Sequence, residues 1–177
     1  MKSIRMRVSA SVLLHIFLIA FIYTPIVLAA KTELIAGGGT GGDGSLAKDA
    51  RIDKPFGVDR DPAGNLLIVD FAGHLRMINS EGKLITLCGS TPGDAGDGGP
   101  ASVAKLNAPH ALAIAKNGDI FIADTFNNKI RRIDGKTQII TTFAGTGKKG
   151  FSGDGDTPSK PRLTRRCVYH SIRINQS

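Results

Sequence analysis

The chain has 177 residues, enough for one domain with a sizeable core, and a formal net charge of +8, which suggests a nucleic-acid binder until the charges are placed. Residues 1–30 hold three basic side chains (Lys2, Arg5, Arg7) and no acid, residues 158–177 hold five (Lys160, Arg162, Arg165, Arg166, Arg173) and no acid, and residues 31–157 carry fifteen of each sign together with all 22 glycines. A neutral, glycine-punctuated body between two basic ends argues against a basic recognition surface and against nucleic acid as the partner.

In chain order, Lys2, Arg5 and Arg7 precede an apolar run from Val8 to Ala30 that ends in small residues, with Val27 and Ala29 or Leu28 and Ala30 at cleavage-site spacing. That is the pattern of a secretory signal peptide over 1–30, and it predicts a secreted, periplasmic or extracellular protein. A retained anchor is the alternative, since residues 8–30 are long enough to cross a bilayer; membrane contact is expected only in that case.

The body repeats itself. A shift of 54 residues brings Gly42, Asp43, Gly44, Ala47, Ala50, Pro55, Gly64, Ile68 and Asp70 onto Gly96, Asp97, Gly98, Ala101, Ala104, Pro109, Gly118, Ile122 and Asp124. After a one-residue insertion following Phe71, Leu75-Arg76 aligns with Ile130-Arg131, and a third Gly-Asp-Gly at 153–155 is followed by Leu163, where the earlier copies have Ile52 and Leu106. Repetition at such a period marks a stacked or radial architecture. Within each copy the pattern is that of short strands: 56–59, 65–69, 75–78 and 84–88, then 110–114, 119–123, 129–133 and 139–144. Gly64 and Gly118 sit in the first hairpin of each copy, where glycine supplies a positive backbone angle. Four strands per unit joined by tight hairpins predict an all-β fold: a partial β-propeller with two clear four-stranded blades and the start of a third.

The run Leu106 to Ile133, with Pro109, Lys116-Asn117-Gly118-Asp119-Ile120-Phe121-Ile122-Ala123-Asp124-Thr125 and Asn127-Asn128-Lys129-Ile130-Arg131-Arg132-Ile133, resembles an NHL repeat. The segments Ala144-Gly145-Thr146-Gly147 and Ala95 to Ala101 resemble its long, extracellular-type version. The resemblance covers about Leu34 to Leu163, which makes 31–163 the body of repeats and leaves 164–177 as a divergent tail. The first copy departs from the pattern at Val69-Asp70-Phe71-Ala72-Gly73-His74, where the family has Ala-Asp and an Asn-containing turn. The resemblance implies that the first strand of each blade lines a channel and the fourth lies outside, so that Leu34 to Ala36 is an outer strand of an incomplete or ring-closing blade. It also implies structural turn roles for Asp70, Asp124 and Asn127 beside Gly64 and Gly118, with the aspartates bonded to turn amides.

Propellers have about four to eight blades, and repeat units bury their faces against neighbours. Two blades therefore leave faces to be covered, by further blades if the reading frame is cut short after Leu163 or by self-association. Arg76, Arg131 and Arg132 are expected near a blade surface, solvated, salt-bridged or facing an acidic partner. His110, at the start of a channel strand, is the one histidine placed for a central site, but its counterpart is Phe56, so no ligand pair recurs and no metal or other cofactor is expected. Asp43, Asp94, Asp97, Asp154 and Asp156 are oxygen ligands by type, but they lack the spacing of a calcium loop. Gly38 to Gly44 lacks the Lys-Ser or Lys-Thr of a phosphate loop. Cys88 matches Ala36 and Ala144 and reads as a small buried residue, and Cys167 lies in the tail. The reading that follows is an exported, non-enzymatic binding or scaffold surface for a protein or glycan ligand, with His110, Arg76, Arg131 and Arg132 as candidate contacts. The alternative is a fragment of a metal-dependent propeller lyase or lactonase.

Overall fold

A computed structural model describes residues 32–149. The chain divides into two units, Met1–Glu33 and Leu34–Ser177. The leader, the third Gly-Asp-Gly and the tail lie outside the described residues.

Two four-stranded antiparallel sheets make up the fold, each a meander in sequence order. Blade 1 contains β1 (Pro55–Arg60), β2 (Leu66–Asp70), β3 (Leu75–Ile78) and β4 (Leu84–Cys88). Blade 2 contains β5 (Ala111–Ile114), β6 (Ile120–Asp124), β7 (Lys129–Ile133) and β8 (Ile140–Ala144). The eight strands fall within a residue or two of the ranges read from the sequence. Leu34 to Ala36 is not a strand and pairs with none among the described residues; the backbone just after it bonds to the lead-in of blade 1, with the Gly37 and Gly38 amides donating to the Ala47 and Lys48 carbonyls.

The hairpin turns explain the meander. Gly64 (φ 89°) and Gly118 (φ 88°) take the left-handed angle that closes each first hairpin, and Asp61 and Asn117 cap the turns by accepting from the Asn65 and Asp119 amides. Both blades carry an irregularity at one position, between Leu75 and Arg76 opposite β4 and between Ile130 and Arg131 opposite β8. Such a bulge re-aims the side chain that follows it.

Each blade is preceded by a Gly-rich lead-in that lies along its own outer strand. Gly44 and Gly98 donate to the Leu84 and Ile140 carbonyls, and the Leu84 and Ile140 amides donate back to Ser45 and Gly99. The lead-in of blade 2 is therefore wedged between the blades. Ala101, Ala104 and Leu106 from it join Leu67, Val69, Leu75 and Cys88 of blade 1 and Leu112, Ile120, Ile122, Ile133 and Ile140 of blade 2 in the main core. Burying one such Leu or Ile side chain stabilises by about 1.5–3 kcal/mol, so the blade-to-blade contact is the chief apolar asset of the fold. Gly57 permits the closest approach of the first strands: a Cβ there would sit 2.9 Å from the Ala111 Cα.

Candidate functional site

Two arrangements of side chains recur in both blades, one inside and one at the rim. The inner one is a clasp built from the Gly-Asp-Gly lead-in. Asp43 accepts from Arg76 Nη2 at 2.6 Å, Thr86 Oγ1 at 2.8 Å and the Thr86 amide at 3.0 Å. Asp97 pairs with Arg131 Nη2 at 2.8 Å and accepts from Thr142 Oγ1. Asp, Arg and Thr come from corresponding positions of the two copies, so the lead-in aspartates tie the loop to the third and fourth strands. Their carboxylates are engaged by cations and hydroxyls of the chain itself. Arg76 and Arg131 thus lie inside the blades, Arg131 with no exposed surface, in contrast to the surface position expected from sequence. In both arginines Nε is buried without a partner among the described residues, and the ion pairs are made through the Nη groups.

Blade 2 extends the clasp. Asp124 Oδ1 accepts from the Asn107 amide at 2.7 Å, and Oδ2 accepts from Asn127 Nδ2 at 2.9 Å and Arg131 Nη1 at 3.5 Å. The Asn127 amide also donates to the Gly93 carbonyl, and Lys129 bonds Asp94 at 2.7 Å. The amide held by Asp124 belongs to the chain entering β5, seventeen residues earlier, rather than to its own turn. Burial pushes the Asp124 carboxyl up to about 6, against the pull of Asn107, Asn127 and Arg131. Arg132 lies on the other face of β7 and bonds Asp119 at 2.8 Å and Asp134 at 3.0 Å. These bonds hold its pKa up and, with those from the Gly135 amide and Asn117, outweigh burial to hold that of Asp119 down.

In blade 1 the departure from the repeat has a structural consequence. The Asp70 carboxylate accepts from the His74 amide at 3.1 Å and pairs with the His74 ring at 3.0 Å, and that bond raises the imidazole above its ordinary 6.5 against the opposing effect of burial. A cleft of about 330 Å³ opens beside the pair, lined by Thr40, Arg51, Asp53, Asp70, His74 and Arg76 among others.

The rim arrangement is aromatic. Phe56 and His110, equivalent residues at the start of the two first strands, lie with ring centroids 4.3 Å apart. Phe71 and Phe126, from the turns after β2 and β6, complete the group: Phe56 to Phe71 and Phe71 to Phe126 are each 6.0 Å, and His110 to Phe126 is 6.2 Å. Lys54 Nζ stands 5.3 Å from the centre of the Phe71 ring, a cation–π distance. Lys54 (φ 50°) and Ala108 (φ 46°), each just before a proline, hold the left-handed backbone that non-glycine residues seldom adopt. The His110 Nδ1 lies 2.8 Å from the Ala108 carbonyl; since a carbonyl accepts, Nδ1 carries the proton and the neutral ring offers Nε2 as an acceptor. The ring is packed among phenyl groups, and among the described residues no group of three or more His, Cys, Asp or Glu side chains is disposed to hold a metal ion. Phe56 is half exposed, and Phe126 exposes 37% of its surface.

His110 is thus the sequence-derived candidate that the structure sets in the aromatic cluster, whereas Arg76 and Arg131 are buried and ion-paired and Arg132, with its side chain 35% exposed, pairs with Asp119 and Asp134. Sequence reasoning missed Lys54, Phe71 and Phe126. The signal was present in the repeat: a residue-Pro-aromatic triplet at 54–56 and 108–110, and a phenylalanine within two residues of the aspartate that ends each second strand.

Comparison with known proteins agrees with this architecture. The family model of the Teneurin NHL domain matches residues 90–158. NHL repeat-containing protein 2 of Gallus gallus is 36% identical over 103 residues, covering 57% of this chain, and its Homo sapiens counterpart is 32% identical over 104 residues. The chain spans 14% of the length of each. Among solved structures, a structural-genomics protein of unknown function from Bacteroides thetaiotaomicron superposes with a TM-score of 0.60 at 18% identity, over 77% of this chain and 33% of that one. That likeness shows the fold alone.

Proposed function

With an NHL-repeat, β-propeller-like domain of two four-stranded blades as the premise, we propose that the protein is an exported, non-enzymatic binding module whose recognition surface is the aromatic rim. The observation that carries this reading is the cluster of Phe56 and His110, at the start of the first strand of each blade, with Phe71 and Phe126 from the turns after β2 and β6. Apolar rings left exposed at a rim, held by two residues of strained backbone angle, cost stability that a purely structural role does not require. Aromatic faces take up the apolar faces of sugars or the side chains of peptides, and His110 Nε2 and Lys54 Nζ supply an acceptor and a donor beside them. Export rests on the basic start and apolar run of residues 1–30.

The full chain screened against a printed array of neutral oligosaccharides and a phage-displayed peptide library tests the reading. Selective binding that is lost in Phe56→Ala and His110→Ala is expected. Absence of selective binding in both formats, or binding indifferent to both substitutions, overturns it. Mass analysis of the protein recovered from its host tests export: loss of about 30 residues supports a cleaved leader, and an intact Lys2-to-Ala30 segment contradicts cleavage.

A further inference from the structure

The two copies treat the space beside the third strand differently. In blade 2 the chain itself crosses it. Lys129 pairs with Asp94 at 2.7 Å, and Asn127 bridges Asp124 and the Gly93 carbonyl. Arg131 commits both Nη groups, to Asp97, to Asp124 and to the carbonyls of Ala95 and Lys105. The register of the repeat places Thr40 at the Asp94 position, Ala72 at that of Asn127 and His74 at that of Lys129. Blade 1 therefore has neither the carboxylate nor the carboxamide, and its histidine turns back onto Asp70 at 3.0 Å. The cleft of about 330 Å³ lies at this place.

Three side chains that line the cleft keep unused polar capacity. Arg76, only 8% exposed, gives one hydrogen bond, from Nη2 to Asp43, and its Nη1 has no partner among the described residues. The equivalent Arg131 Nη1 has Asp124 at 3.5 Å and Asp94 at 3.9 Å. The Arg51 guanidinium and the Asp53 carboxylate, two residues apart, pair neither with each other nor with any other side chain among the described residues. Asp53 stands where blade 2 has the neutral Asn107. Since Asp43 pairs with Arg76 and Asp70 with His74, one unpaired charge of each sign remains, beside the free Nη1 of a buried guanidinium.

We propose that this cleft binds a small zwitterion, a free α-amino acid, with its carboxylate on Arg51 and Arg76 Nη1 and its ammonium on Asp53. Guanidinium groups are the side chains best matched to a carboxylate, and the carboxylate takes the part that Asp94 plays for Arg131. A simple carboxylate leaves Asp53 facing a like charge, and a simple amine leaves both arginines without an acceptor. Phosphate brings a second negative charge toward Asp43, Asp53 and Asp70, which disfavours it. The volume is at the low end of small-molecule sites, about 300–1,000 Å³. The site shares no side chain with the aromatic rim, so either reading can fail alone.

The test titrates the isotopically labelled full chain with glycine, acetate, methylammonium and inorganic phosphate in turn, reading the amides of 40–42, 51–53 and 76, which lie outside the rim. Glycine is expected to saturate these shifts with a Kd of about 1 mM or lower. Acetate, methylammonium and phosphate are each expected to bind at least about tenfold more weakly, the worth of one lost charged hydrogen bond. Arg51→Gln, and Asp53→Asn, which installs the side-chain type that blade 2 carries, are each expected to weaken glycine by the same factor. Thr40→Asp supplies a carboxylate at the Asp94 position and is expected to compete with the ligand and weaken it likewise. Lys136→Gln, an exposed charge in blade 2, is expected to bind as the wild type does. Far-UV circular dichroism confirms that each variant keeps its strands. No saturation by glycine below about 10 mM overturns the proposal. So does acetate or phosphate binding as tightly as glycine, glycine binding unchanged in Arg51→Gln, Asp53→Asn or Thr40→Asp, or a Lys136→Gln variant as defective as Arg51→Gln.

Discussion

Replacing Asp124 with alanine removes the carboxylate on which blade 2 converges. Oδ1 receives the Asn107 amide at 2.7 Å and Oδ2 receives Asn127 at 2.9 Å and Arg131 at 3.5 Å, all at a residue with no exposed surface. Breaking a buried pair by removing one partner costs about 3–5 kcal/mol, and Arg131 keeps Asp97 at 2.8 Å, so a loss near the lower end, about 3 kcal/mol, is expected. The substitution Asp124→Asn keeps an oxygen for the Asn107 amide and removes a charge that burial disfavours, so it is expected to cost about 1 kcal/mol, the net worth of a hydrogen bond. The pH dependence has a definite sign. The folded carboxyl is raised from 3.8 to about 6, so its contribution to stability is full below 3.8 and is lost as pH rises through 6. The asparagine variant should therefore gain on the wild type across that interval. Urea unfolding of the full chain, followed by far-UV circular dichroism from about pH 4 to pH 7, measures both effects. An alanine variant within about 0.5 kcal/mol of wild type, the range of ordinary surface substitutions, or an asparagine variant that loses ground as pH rises, refutes the reasoning.

Three further outcomes follow from the blades. The Asp70 bond raises the His74 imidazole, so the pair stabilises fully below 6.5 and its contribution is lost as pH rises through the raised value; the gap in thermal midpoint between wild type and His74→Gln should shrink on that side, and a pH-independent gap contradicts the pairing. Gly89→Ala drives a methyl into the Gly73 carbonyl oxygen at a φ of 90°, and a loss of about 1–3 kcal/mol in the same urea assay is expected; an unchanged midpoint contradicts the close approach. Cys88 is fully buried, and burial pushes its thiol up to about 12, so in a Cys167→Ser background a thiol-exchange reagent should label the chain only in denaturant, and rapid labelling of the folded protein contradicts the burial.

The strands were legible because hairpin units declare themselves locally: the short apolar runs of β2 and β6, and Gly64 and Gly118 at the turns, need only neighbours in sequence. Leu34 to Ala36 misled because a resemblance assigns a strand by its place in the repeat and cannot report whether a partner strand lies alongside, and the backbone that follows it bonds to the lead-in instead. The clasp was invisible locally, since Asp43 and Thr86 are 43 residues apart and Asp97 and Thr142 are 45 apart. Its trace was the recurrence of Asp, Arg and Thr in register, which at sequence level reads as surface charge. The rim had the same character: Phe56 looked like a missing ligand opposite His110, and the structure makes it the ring against which His110 packs.

Amide chemical-shift mapping of the isotopically labelled chain, titrated with the best oligosaccharide or peptide from the array and library screens, tests the central claim most directly. The account predicts perturbations confined to 54–57, 71–74, 108–111 and 125–128, and their disappearance in Phe56→Ala. Shifts centred elsewhere, on the lead-in loops or the outer strands, would contradict it.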